Sequence, residues 1–142
     1  MSLAAAVILT ILNLLNLPET VPTHFDAAGN PDDHGSRNVL WIIPVIALIA
    51  YAGLTWLSGN PGSLSYPVRI TDTNASVQYR NSVLMLRVMK SVVLGQLTSL
   101  IFFQRQVSIG ALDKLPGWWL PVSVACTIGT IVWFLFRSIQ LR

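Results

Sequence analysis

A chain of 142 residues has the length of one domain, yet only 11% of its residues are charged and 53% are hydrophobic. A soluble domain carries about 25% charged residues, so a water-facing globule is excluded, and the long unbroken apolar runs make lipid the second solvent. The net charge of +3 is scattered over the ends of those runs without a clustered basic patch, which excludes nucleic acid as a partner and gives the cations a topological role.

The first run, "SLAAAVILTILNLLNL", covers Ser2 to Leu17. At about 1.5 Å per residue it is only just long enough to span. A signal peptide would carry a basic start and a small-residue cleavage site. The run contains neither Lys nor Arg, and "LNLPET" cleaves poorly, so a retained helix is expected. Asn13 and Asn16 stand one turn apart, and amides inside lipid face another helix.

The stretch "LPETVPTHFDAAGNPDDHGS" follows, with both histidines and four of the six acidic residues of the chain. Pro18 stops the first helix. "VPTHF" is β-branched, aromatic and Pro-bounded, and reads as an extended arm. "DAAGNPDDHG" is dense turn chemistry. Ser36 is placed to cap the second helix, with Asp32 and Asp33 near its positive end. Two readings follow. In the structural one, His24 and Asp26 hydrogen-bond to loop backbone or to a neighbouring loop. In the other, His24, Asp26, Asp33 and His34 supply imidazole and carboxylate ligands to zinc or another divalent cation. His24 and Asp26 share a side of an extended arm and make a half-site, and Asp33–His34 must fold back to complete it. The spacing fits no standard zinc motif, and the stretch lacks the length and terminal Glu of an EF-hand.

The second run, Asn38 to Ser58, has Pro44 in its first turns and Trp41 and Trp56 near its ends, as interfacial anchors are placed. The third begins at "TDTNAS", where Asp72 or Thr73 is expected to cap a helix of about thirty residues, longer than a bilayer requires. Its lipid part is read as 83–103, with Arg87 and Lys90 snorkelling near its start and Gln96 and Thr98 facing another helix. The fourth follows a Pro116–Gly117 turn and is read as 117–136, with Trp118, Trp119 and Trp133 as belts and Pro121 in the first turn. The lone cysteine, Cys126, reads as a small buried hydrophobe. Ala125 and Gly129, and likewise Ser123 and Thr127, form small-residue faces for close helix packing, within the bundle or against a separate subunit.

With the N-terminus inside, Arg69, Arg80, Arg87, Lys90, Arg137 and Arg142 lie on the cytoplasmic side against Arg37, Arg105 and Lys114 outside. That bias follows the positive-inside rule and places the acidic loop outside. It also leaves Tyr79, Arg80, Arg87 and Lys90 as a juxtamembrane group, serving orientation or an anionic lipid headgroup. No nucleophile–base pair, phosphate loop, HExxH or Cys-rich spacing is legible.

"LPETVPTHFDAAGNPDDHGSRN" resembles the signature of small bacterial membrane proteins grouped as domain of unknown function 1648. Members show Leu-Pro, Ile-Pro-x-His-Phe, Gly-x-x-Asp and Gly-Ser-Lys before the second span. Pro18, Pro22, His24, Phe25, Gly29, Asp32, Gly35 and Ser36 match. Val21, Asp26 and Arg37 replace Ile, Asn and Lys, and His34 stands where an aromatic is common. "YPVRITDTNASVQYRNSVLMLRVMK" and "ALDKLPGWWLPV" are similar to the four-helix members. The resemblance implies no assigned activity. The domain also stands at the N-terminus of the SdpI immunity proteins, whose second half has no counterpart in this reading.

The expectation is an all-α integral membrane protein: one domain, a bundle of four transmembrane helices, an ordered extracytoplasmic loop between helices 1 and 2, and both termini cytoplasmic in a bacterial inner membrane. The leading function is a non-enzymatic envelope accessory, sensor or immunity-like module without cofactor, partnered by the bilayer. The alternatives are an accessory subunit of a larger membrane complex and a metal-dependent enzyme built on the first loop.

Overall fold

Proline has no N–H and disfavours helix in the residue before it. The first helix, α1 (Leu3–Asn16), accordingly ends short of Pro18, and Leu17 N–H closes on the Asn13 carbonyl at 2.8 Å. The computed structural model describes residues 3–141; the predicted span start at Ser2 and the cation Arg142 lie outside the described residues. Two strands follow, β1 (Thr20–Phe25) and β2 (Pro31–Ser36), paired antiparallel as a two-stranded sheet. A 3-10 turn, Arg37–Trp41, leads into α2 (Ile42–Gly59). The long α3 (Ala75–Ser108) and then α4 (Trp119–Gln140) complete the chain.

Three helical stretches, Arg37–Gly59, Ala75–Ser108 and Trp119–Gln140, are long and apolar enough to cross a membrane. The 14 residues of α1 reach about 21 Å, so it is a shorter apolar helix. The exterior is apolar, and the interior mixes apolar side chains with many polar ones. Buried positions include Thr10, Asn13, Gln78, Asn81, Thr98 and Gln104, while Ile49, Leu120, Val132 and Phe136 are exposed. Lipid solvates apolar surface as well as a core does, and buried amides hold helices together there. The fold is thus consistent with a multi-pass membrane protein.

The α3 helix is the centre and packs against α1, α2 and α4; among the described residues it is the one substantial helical neighbour of α4. Its amides tie α4 along its length. Gln96 Nε2 donates to the Ser123 carbonyl (2.8 Å) and to Thr127 Oγ1 (3.1 Å). Asn81 Nδ2 donates to the Phe134 carbonyl at 3.1 Å. Gln78 Nε2 reaches the carbonyls of Ser138 (2.8 Å) and Leu141 (3.0 Å), which α4 leaves unpaired at its C-terminus. Thr98 is buried but turns back to the Leu94 carbonyl of its own helix.

Four expectations change. The first loop is a β-hairpin rather than an arm and turns, because "TVPTHF" and "PDDHGS" pair across Asp26–Asn30. The N-cap of α3 is Asn74, not Asp72 or Thr73; Asn74 Oδ1 accepts from the Thr71 N–H (2.9 Å) and its Nδ2 donates to the Arg69 carbonyl (3.1 Å). Cys126 is exposed on α4, whose substantial helical neighbour among the described residues is α3 alone. Ala125 and Gly129 are also exposed, and a Cβ added at Gly129 would meet nothing within 4 Å; of the two small-residue faces, Ser123 and Thr127 meet α3.

Candidate functional site

The hairpin is built around its turn. Asp26 lies just past β1, and its carboxylate accepts from the N–H groups of Ala28 (2.9 Å) and Asn30 (2.8 Å) and from Asn30 Nδ2 (3.0 Å). The Asp26 N–H donates to the Asn30 carbonyl, and the Gly29 N–H to the Asp26 carbonyl, both at 2.9 Å. The Asn30 amide, with the backbone N–H donors, holds the Asp26 carboxyl below the usual carboxylate range. Asp26 is therefore a turn residue, and its lone pairs are directed into its own loop.

Three other elements fix the hairpin. Val21 is fully buried with Leu17 and Leu40 beneath it. Gln104 of α3 donates Nε2 to the Pro22 carbonyl at 2.7 Å. The Leu115 N–H donates to the Gly29 carbonyl at 2.9 Å, joining the turn to the α3–α4 connection. Arg37 adds a cap to α1: Nη1 donates to the Leu17 carbonyl at 2.8 Å, and its own N–H to that of Glu19 at 2.9 Å. Pro22 and Pro31 are tolerated because a two-stranded sheet consists of edges. Gly35 faces Thr23, leaving 3.1 Å between an added Cβ and the Thr23 methyl. Ser36 accepts from the Asn38 N–H at 3.3 Å and so caps the turn into α2. Pro18 is exposed between α1 and β1.

The register is irregular on both sides of His24, with Thr23 unpaired between Pro22↔His34 and His24↔Asp33. That bulge breaks the alternation that would put His24 and Asp26 on one side. His24 Nδ1 instead lies 2.6 Å from Asp32 Oδ1, on an exposed pair at 67% and 45% side-chain exposure. Thr23 Oγ1 donates to Asp33 at 3.3 Å, which leaves hydroxyl and imidazole in separate pairs. Asp33 also accepts from the His34 N–H at 2.8 Å. Of the two readings of this loop, the metal set of His24, Asp26, Asp33 and His34 is not assembled: among the described residues no three His, Cys, Asp or Glu groups are placed to hold one ion.

A cavity of about 250 Å³ opens beside the hairpin, lined by His24, Phe25 and Asp26, by Leu100 of α3, and by Leu115 and Trp119 at the approach to α4. Trp119 is held there by its Nε1–H bond to Ser99 Oγ at 2.9 Å. An apolar wall with the His24 imidazole as its free polar edge suits a small, largely apolar group.

The other singled-out residues stand at the far end of the bundle. Tyr79 stacks obliquely on Tyr66 at 5.8 Å, Arg80 and Arg87 are exposed, and Lys90 turns toward α2. Gln78, Gln104, Arg37 and Tyr66 were not marked as structural anchors by sequence. Each makes its key bond to a main-chain carbonyl of another segment, 60, 82 and 20 residues away for the first three. Tyr66 alone bonds nearby, to the Pro61 carbonyl at 2.8 Å, and then meets Ser82 at 2.9 Å.

Residues 1–48 match the model of a family described as domain of unknown function, DUF1648. The chain is also similar to an uncharacterized protein of Archaeoglobus fulgidus, 55% identical over 42 residues, which cover 30% of this chain and 23% of that protein. The matched segment thus spans about a quarter of its relative. No solved structure matches.

Proposed function

We propose that this chain is a small non-enzymatic membrane module whose DUF1648 hairpin is the recognition surface. It crosses the cytoplasmic membrane with both termini inside, α1 entering as a short fourth segment, and the hairpin is outside. The observation that carries this reading is the clamp on the hairpin: Gln104 and Leu115 fix its backbone from distant parts of the chain. The exposed His24–Asp32 pair and the cavity beside it are then presented at a constant geometry. A linking loop needs no such fixing, whereas a surface that meets a ligand or partner gains from preorganisation. The roles that fit are accessory, sensor or immunity-like, the last being what the resemblance to SdpI proteins implies.

A second reading, an accessory subunit, is favoured by α4, whose outer face is apolar and uncovered by other helices of the chain. Photoreactive residues placed at Asp33 and at Trp133 in living cells separate the two. Adducts from Asp33 alone support the hairpin reading. Adducts to protein from Trp133 alone sink it and install the subunit reading. Elemental analysis of the purified protein tests the enzyme reading, which stoichiometric metal lost in a His24→Ala variant would revive.

A further inference from the structure

The end of the bundle away from the hairpin holds cations that, among the described residues, have no carboxylate against them. A helical lysine reaches back toward the N-terminus of its helix and snorkels toward water. Lys90 ends on fixed partners of α2. Its Nζ donates to Thr55 Oγ1 of α2 at 2.8 Å and lies 4.6 Å from the centroid of the Tyr51 ring. Thr55 Oγ1 in turn donates to the Tyr51 carbonyl at 2.6 Å, so the ammonium is held by a threonine whose own proton is committed. Trp56, next to Thr55 and 63% exposed, stands close to the end of α2 at Gly59. Tryptophan in that position marks headgroup depth.

An ammonium carries three donors, and Thr55 takes one. Among the described residues Lys90 has no other hydrogen-bond acceptor. Arg87, three residues earlier and therefore on the adjoining flank of α3, is exposed and makes no ion pair there; the one ion pair among the described residues is His24–Asp32. Neither α2 nor α3 contains an Asp or Glu. A cation that served topology alone would need no fixed side chain.

We propose that Lys90, which bridges α3 to α2, and Arg87, one turn before it on α3, bind the phosphate of an anionic glycerophospholipid. Both give charge-assisted N–H donors, the Arg87 fork suits a phosphate, and the Tyr51 ring fixes the position of the ammonium. Free phosphate offers the same chemistry, but depth beside Trp56 selects the lipid.

The test uses purified, delipidated protein, native mass spectrometry and thermal unfolding with phosphatidylglycerol, phosphatidylcholine or inorganic phosphate. Phosphatidylglycerol is expected to be retained one to one and to raise Tm, and phosphatidylcholine is not. Arg87→Gln weakens retention about fivefold, as does Lys90→Gln, and the effects combine. Lys90→Arg keeps the binding. Arg87 is exposed, so its variant decides the matter even where Lys90→Gln fails to fold. Equal retention by wild type and Arg87→Gln, or equal retention of both lipids, overturns the proposal. Stabilisation by inorganic phosphate equal to that by phosphatidylglycerol assigns the site to a soluble anion and overturns the lipid.

Discussion

Gly29 is held by two constraints at once. Its φ is +84°, and a Cβ built there would stand 2.6 Å from the Leu115 carbonyl oxygen, a backbone atom that cannot swing aside. Gly29→Ala is therefore expected to lose about 2–4 kcal/mol, from left-handed strain and the disturbed Leu115 bond together. A Tm lowered by several degrees in detergent is the check, and an unchanged Tm removes the clamp from the account. Asp26 supplies a pH dependence at the same turn. Its folded pKa is depressed, so its contribution is complete above the ordinary carboxylate value of 3.8 and is lost as pH falls through the lower, folded value. The Ala28 and Asn30 amide resonances should shift in that acid window and stay still in an Asp26→Asn variant. A transition near neutrality would point to a different group.

At the scale of elements, α4 is bound by side-chain amides more than by apolar packing. Gln78 satisfies two carbonyls at its end, and Ser138 Oγ returns a bond to Gln78 Oε1. Gln78→Leu leaves those carbonyls without a donor, costing about 1–3 kcal/mol. Hydrogen exchange should quicken in the last turn of α4, near Ser138, and stay slow near Ser123, where Gln96 still holds. Uniform quickening along α4 would show that the two anchors act as one. The long helices were legible because periodicity and length are local properties, as was the Ser36 cap, two residues from its partner. The Gln78 bonds were not, because nothing near residue 78 marks a carbonyl 60 positions on.

For the molecule as a whole, what sequence conveyed was the solvent and the run of helices; what it withheld was the pairing of the two strands and which polar groups meet. His24 and Asp26 looked like partners because strands alternate, and a bulge at Thr23 reassigns His24 to Asp32. Arg37 looked like a topological charge and is also a helix cap. The same long-range pairing sets an order in time. The strands of the hairpin are synthesised before their anchors: Pro22 waits 82 residues for Gln104, and Gly29 must wait longer for Leu115. At about 5–20 residues per second, that interval is on the order of ten seconds. The hairpin is thus fully seated only after α3 has been made, and until then the small cluster of Leu17, Val21 and Leu40 and the Arg37 bonds hold it.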